Sequence, residues 1–195
     1  MEAGTADQET EPTKVMDAGD PAALRQGDLT AFRRLFDTYK DKVYSIAVYF
    51  LQGDTATAED IAQEVFVRVY TRIGQFRCEA DFATWLYRLV ANACMDEFRR
   101  RKRRPGTADL EAASALTTDS PHEAYARLEI GAAVRAALSD LSPDMRLTVL
   151  LRYFEELSYE EIAAILHCSQ GTVASRLNRS LKALARKLAP LRDEA

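Results

Sequence analysis

Residues 158–188 read SYEEIAAILHCSQGTVASRLNRSLKALARKL, and the spacing of their apolar residues predicts two short helices joined by a turn. Ser158 followed three residues later by Glu161 is a capping-box start, in which side chain and backbone satisfy each other's free donors. Ile162, Ala163, Ile165 and Leu166 give the first helix an apolar face. His167-Cys168-Ser169 has the length of a tight turn, in which His167 takes the left-handed backbone often given to glycine and Ser169 caps the second helix. That second helix places Val173, Leu177, Leu181, Leu184 and Leu188 inward. Arg176, Arg179, Lys182, Arg186 and Lys187 lie on its other faces, with no acid between Gln170 and Ala189. A two-helix unit ending in a basic helix has the shape that enters a DNA major groove. A lone basic amphipathic helix would be read as a solvated surface; the paired helices favour DNA.

Upstream, Ser142-Pro143-Asp144 and Ser120-Pro121-His122-Glu123 are helix starts with a cap and a first-turn proline. Helices are therefore expected at 121–139, 143–154, 158–166 and 170–188. Residues 105–120, PGTADLEAASALTTDS, have the composition of a flexible linker. Before it, Leu29, Phe32, Phe36, Tyr39, Val43, Ile46 and Phe50 recur at steps of three and four, and Gln52-Gly53-Asp54 breaks that helix. A second helix is expected from Thr57 to Ile73, with Ile61, Val65, Phe66, Val69 and Ile73 inward. Gly74 to Asp81 reads as a loop, and a third helix runs from Phe82 to Arg104. Residues 1–20, with six acids and one lysine, read as a disordered acidic tail. The expected fold is all-α: two small helical domains, 21–104 and 121–190, joined by a flexible linker at 105–120, the second containing a helix-turn-helix.

Bulk properties exclude several functions. No apolar run reaches the length of a membrane span and the N-terminus lacks a signal peptide's pattern, so membrane insertion is not expected and a cytoplasmic location is. Cys78, Cys94 and Cys168 are odd in number and lack metal-ligand spacing. Only His122 and His167 can offer imidazole, so neither metal nor cofactor is expected. The net charge of −4 hides segregation: residues 99–104, RRRKRR, are all basic, and residues 170–188 hold five bases and no acid.

Two features of the first domain carry chemistry. Glu59, Asp60, Gln63 and Glu64 neighbour one another on a helical flank, either as a solvated face or as a docking face for a basic partner. The matching Glu-x-x-His of a di-carboxylate metal centre is missing. The run from Phe76 and Arg77 through Phe82, Trp85 and Arg88 to Asn92, Asp96 and Phe98 interleaves aromatics with arginines and amides. Rings stack on unpaired bases and guanidinium groups hold phosphates, at about 1–3 kcal/mol per stacked base. Phe82 reads as core, while Trp85 fits core or base stacking equally. Six bases in a row exceed what a helix dipole needs and point to phosphate contact with a steep salt dependence.

With these motifs in order, the chain resembles bacterial RNA polymerase sigma factors of the extracytoplasmic-function (ECF) class. AEDIAQEVFVRVY is similar to the family's core-binding helix, FATWLYRLVAN followed by DEFRRRKRR to its minus-ten region, and LSPDMRLTVLLRYFEELSYEEIAAIL with GTVASR to its minus-thirty-five domain. The resemblance implies a promoter-specificity subunit, not an enzyme. Glu59, Asp60, Gln63 and Glu64 would dock on the clamp helices of the largest polymerase subunit, with the flap as a further contact. Residues 75–82, including Phe76 and Arg77, would capture a flipped minus-ten base. Trp85, Asn92, Asp96, Arg99 and Arg100 would face the duplex edge. Gly171, Thr172, Val173, Ala174, Ser175, Arg176 and Arg179 match the recognition helix. Ala174 departs from the lysine or arginine common in the family, which removes a base or phosphate contact. An anti-sigma factor is a further expected partner, and no regulatory C-terminal domain is expected. Two promoter elements two helical turns apart lie roughly 70 Å from each other. A sixteen-residue linker spans at most about 55 Å and each domain adds about 13 Å, so the reach suffices. Rival readings are a free-standing dimeric helix-turn-helix regulator, which leaves the acidic flank and the aromatic helix unexplained, and a nucleic-acid enzyme, which would need a nucleophile–base pair, P-loop or metal cluster.

Overall fold

The computed structural model describes residues 21–76, 81–103 and 121–193. The tail 1–20, the linker with its Pro105-Gly106 stop, Ser120, Arg104 and the loop residues Arg77 and Cys78 lie outside them. Among the described residues the helices are α1 (Pro21–Arg25), α2 (Leu29–Phe50), α3 (Thr55–Arg72), α4 (Phe82–Arg103), α5 (Pro121–Ser139), α6 (Pro143–Tyr153), α7 (Tyr159–Leu166) and α8 (Gln170–Asp193). No strand occurs among the described residues, and the all-α expectation holds.

Local chemistry explains most boundaries. The Ser158 hydroxyl accepts from Glu161 N at 3.2 Å while the Glu161 carboxylate accepts from Ser158 N at 2.7 Å, closing the capping box that starts α7. His167 ends α7 at φ 50°, ψ 49°, in the left-handed region. A side chain there strains the backbone and glycine does not. Because His167 is exposed, His167→Gly is expected to raise the free energy of unfolding by about 0.5–1 kcal/mol in a urea titration. Asp54 starts α3 two residues earlier than the apolar pattern suggests, because its carboxylate accepts from Thr57 N at 3.0 Å. Asp28 caps α2 through Thr30 N at 2.7 Å. Ser142 precedes α6 as expected but makes no side-chain cap. The last helix runs on to Asp193, past the expected end at 188, since among the described residues no left-handed cap follows Leu188.

Two apolar faces differ from expectation. In α2 the buried residues are Ala31, Leu35, Val43, Ile46, Ala47 and Phe50, while Leu29 is 67% exposed and Phe36 lies at the edge, its ring 4.8 Å from Phe66. The helix packs on α3, α4 and α6 at once, so its inward stripe shifts along its length. In α8, Val173, Leu177 and Ser180 are buried, and Leu184 is half-buried. Leu181 turns about 100° beyond Ser180 and stays 43% exposed.

The helices before and after the linker pack against each other. α4 lies on α7, and α2 lies on α5 and α6. One buried cluster runs from Leu24 through Phe50, Leu86 and Val90 to Leu147, Leu150, Ile162 and Val173.

Candidate nucleic-acid interface

On α4, Trp85, Arg88, Asn92, Asp96 and Arg99 follow one another at steps of three and four, so they share a side of the helix. Trp85 is half-buried on a small aromatic cluster, 5.5 Å from Phe76 and 5.7 Å from Phe82. Phe82 is core, as expected. Phe76, expected to contact DNA, is 4% exposed, and its carbonyl accepts from the Arg25 guanidinium. Its ring supports Trp85 from beneath instead of offering a free stacking face. Asn92, Asp96, Arg99 and Arg100 are exposed, with Arg99 3.1 Å from Asp96 and Arg100 2.6 Å from Glu97.

The basic run is not uniformly free for phosphate. Arg101 turns inward, 2.7 Å from Glu97, and donates to Asp54 and to Thr57 Oγ1 at 2.9 Å. It ties the end of α4 to the start of α3. Burial alone would raise the Glu97 and Asp54 carboxyls; for Glu97 the Arg101 and Arg100 bonds, and for Asp54 the Thr57 and Arg101 bonds, outweigh it and hold both below their usual range. A depressed folded-state pKa contributes stability above the unfolded pKa and loses it as pH falls through the folded value. The free energy of unfolding is therefore expected to drop below about pH 4, and Arg101→Ala to flatten that acid limb.

The acidic flank lies on α3. Glu59, Asp60, Gln63 and Glu64 are all exposed, opposite the buried Ile61 and Val65. Glu64 accepts from Arg68 at 2.6 Å, and Asp60 and Glu64 border a polar groove of about 300 Å³ that Asp96 and Arg100 close from α4. The flank and the α4 face therefore meet along one edge.

At the helix-turn-helix, Ser169 Oγ accepts from Thr172 N at 3.1 Å and starts α8. Gly171, Ser175 and Arg179 are exposed, while Thr172, Ala174 and Arg176 are half-buried. Val173, expected with the recognition residues, is fully buried and holds α8 onto the core. Arg176 lies 3.7 Å from Asp144 on α6. Ala174 borders a shallow apolar groove of about 530 Å³ with Tyr159, Leu177 and Leu181.

Comparison with known proteins places this geometry. Residues 35–104 match the family described as Sigma-70 region 2, and residues 131–184 match Sigma-70, region 4. The RNA polymerase sigma-H factor of Pseudomonas aeruginosa is 38% identical over 181 residues, covering 88% of this chain and 93% of the relative. The ECF RNA polymerase sigma factor SigW of Bacillus subtilis is 36% identical, covering 86% and 94%. The chain belongs to the ECF RNA polymerase sigma factors. Such a sigma factor is an initiation subunit that directs RNA polymerase to promoters, and it is not an enzyme. Two solved structures share the fold. One is CnrH in complex with the cytosolic domain of CnrY, with TM-score 0.67, 23% identity, and coverage of 87% of this chain and 95% of that one. The other is the sigma factor RpoE of Bartonella quintana with the anti-sigma factor NepR, with TM-score 0.66, 22% identity, and coverage of 83% and 98%.

Several residues of this sigma factor carry structural weight that periodicity does not reveal. Arg146 is 3% exposed among carbonyls, Arg88 donates to Ala164 O at 3.0 Å, and Tyr87 donates to a buried Glu155. Burial raises the Glu155 carboxyl against the opposing effects of Tyr87 and Lys42. A cation between Met145 and Leu147 in an apolar run is the one sequence sign of Arg146. Cys94 is buried, which pushes its thiol up to about 12 and leaves it inert. Among the described residues no group of three His, Cys, Asp or Glu side chains is placed to hold a metal ion, and no helix is long and apolar enough to cross a membrane.

Proposed function

We propose that the helices before the linker dock on core polymerase and open the minus-ten element, while α7 and α8 hold the minus-thirty-five element. The observation that carries this reading is the shared edge of α3 and α4. Exposed carboxylates there face a basic partner, next to a tryptophan, an amide and arginines arranged for DNA. Glu59, Asp60, Gln63 and Glu64 meet the clamp helices. Trp85, Asn92, Asp96, Arg99 and Arg100 meet the opened duplex, and Arg77 belongs to the loop that receives the flipped base. Gly171, Thr172, Ser175, Arg176 and Arg179 meet the upstream element, with the polymerase flap holding the same domain. The protein works in the cytoplasm, and an anti-sigma factor restrains it until a signal arrives. Support for that restraint comes from the Bartonella RpoE, solved with the anti-sigma factor NepR.

Gel filtration with purified core polymerase tests the reading: co-elution at low salt is expected, and separate elution would contradict it. Arg176→Ala with Arg179→Ala is expected to weaken binding to the upstream element about tenfold or more in a gel-shift assay of the holoenzyme. Polymerase association should stay unchanged.

A further inference from the structure

The first turns of α8 present their side chains to different surroundings. Val173 and Leu177 are buried in the core. Arg176 is half-buried, its guanidinium 3.7 Å from Asp144 and 3.9 Å from Cys168 Sγ, so α6 and the turn hold it at the rim. Arg179 lies back along the helix and donates to Ser175 O at 3.2 Å. Ala174 and Asn178 follow each other one helical turn apart on the outer side. Asn178 is exposed, and its amide has no hydrogen-bond partner among the described residues. Ala174 opens onto the apolar groove of about 530 Å³, to which α7 contributes Tyr159.

Each position fits one kind of base edge. A free carboxamide donates from Nδ2 to N7 of adenine and accepts at Oδ1 from its N6, the two-bond match that adenine offers in the major groove. A small apolar wall takes the C5 methyl of thymine, which a long charged side chain in the same place would displace. Arg179, Lys182 and Arg186 lie on the neighbouring side of α8, where phosphate contacts would fix its register. Four helical residues rise about 6 Å, which covers one to two base steps of roughly 3.4 Å. The two contacts therefore fall on base pairs one or two steps apart.

We propose that Asn178 and Ala174 set the sequence preference of this helix-turn-helix. Asn178 pairs with an adenine edge, and Ala174, with Tyr159, receives a thymine methyl one or two steps away. The assignment rests on the reading that α8 lies in the upstream element, and it names the bases selected there.

Selection by the reconstituted holoenzyme from promoter DNA randomised over the upstream element tests it. The wild-type protein should enrich one adenine about tenfold at its position. It should enrich one thymine about fourfold, one or two base pairs away. Asn178→Ala should erase the adenine preference and keep the thymine preference, and Ala174→Lys should do the reverse. Changes to single atoms of the selected DNA check the same contacts on the wild-type protein. Replacing that adenine by 7-deazaadenine should weaken binding about fivefold, and replacing that thymine by uracil about fourfold. An adenine preference unchanged in Asn178→Ala, or a loss spread equally over all positions, would overturn the assignment. If Ala174→Lys loses its helical circular dichroism, the uracil exchange decides its position, and undiminished binding there counts against it. A holoenzyme that selects no upstream element would overturn the promoter reading and the assignment with it. A selected element indifferent to both residues would overturn the assignment alone.

Discussion

Arg146→Ala is expected to lower the free energy of unfolding by about 3–5 kcal/mol, among the largest effects of any single change in this chain. Besides Phe50 O, the guanidinium donates to Leu138 O at 2.9 Å, Ser139 O at 2.8 Å and Leu141 O at 3.2 Å. These carbonyls lie at or just past the ends of α5 and α2, and of them Leu138 O also accepts from Leu141 N at 3.1 Å. Burial lowers the Arg146 pKa without removing its charge in the neutral range, and helix ends replace a carboxylate as its partner. Truncation leaves several buried acceptors without donors and a cavity the size of a long side chain. The melting temperature should fall by about 10 °C. Arg146→Lys should recover less than half of the loss, because one ammonium cannot span the directions that the planar fork covers. Full recovery by lysine would show that charge alone, not the fork, holds this junction.

Asp60→Ala with Glu64→Ala is expected to weaken binding to core polymerase about a hundredfold while leaving stability within about 0.5 kcal/mol of wild type. Both side chains are exposed, and among the described residues only Glu64 of the two is paired, with Arg68 across one helical turn. Such surface pairs contribute little to folding. Against a basic partner the same carboxylates lose their water and gain charge-assisted hydrogen bonds, so their loss falls on binding. A fluorescence titration of labelled protein with core polymerase checks this. An unchanged dissociation constant would count against the docking face.

Capping and apolar spacing made the helices readable, because both act within a few residues. Ser158 with Glu161, the left-handed His167 and the Phe82 start of α4 all stand where local rules put them. The ordered motifs at 58–70, 82–104 and 141–176 made the family legible. What stayed hidden depends on residues far apart in the chain. The Arg146 bond to Phe50 O joins positions 96 apart, and no periodicity encodes it. Phe76 reads as an exposed aromatic in a polar loop until Phe82 and Trp85 close over it. Arg101 reads as one more phosphate contact in RRRKRR until Asp54, at the start of another helix, claims it. Leu181 and Leu29 fit a helical stripe by sequence, but the direction of that stripe is set by whichever helices pack on it.

At the centre stands a promoter preference that this chain gives to RNA polymerase. Run-off transcription with reconstituted core polymerase on a library of genomic fragments tests it most directly. Discrete transcripts are expected that require the protein and share upstream elements at one spacing. Trp85→Ala should reduce them without loss of polymerase binding. A transcript pattern identical to that of core polymerase alone, from protein shown to be folded, would contradict the promoter preference.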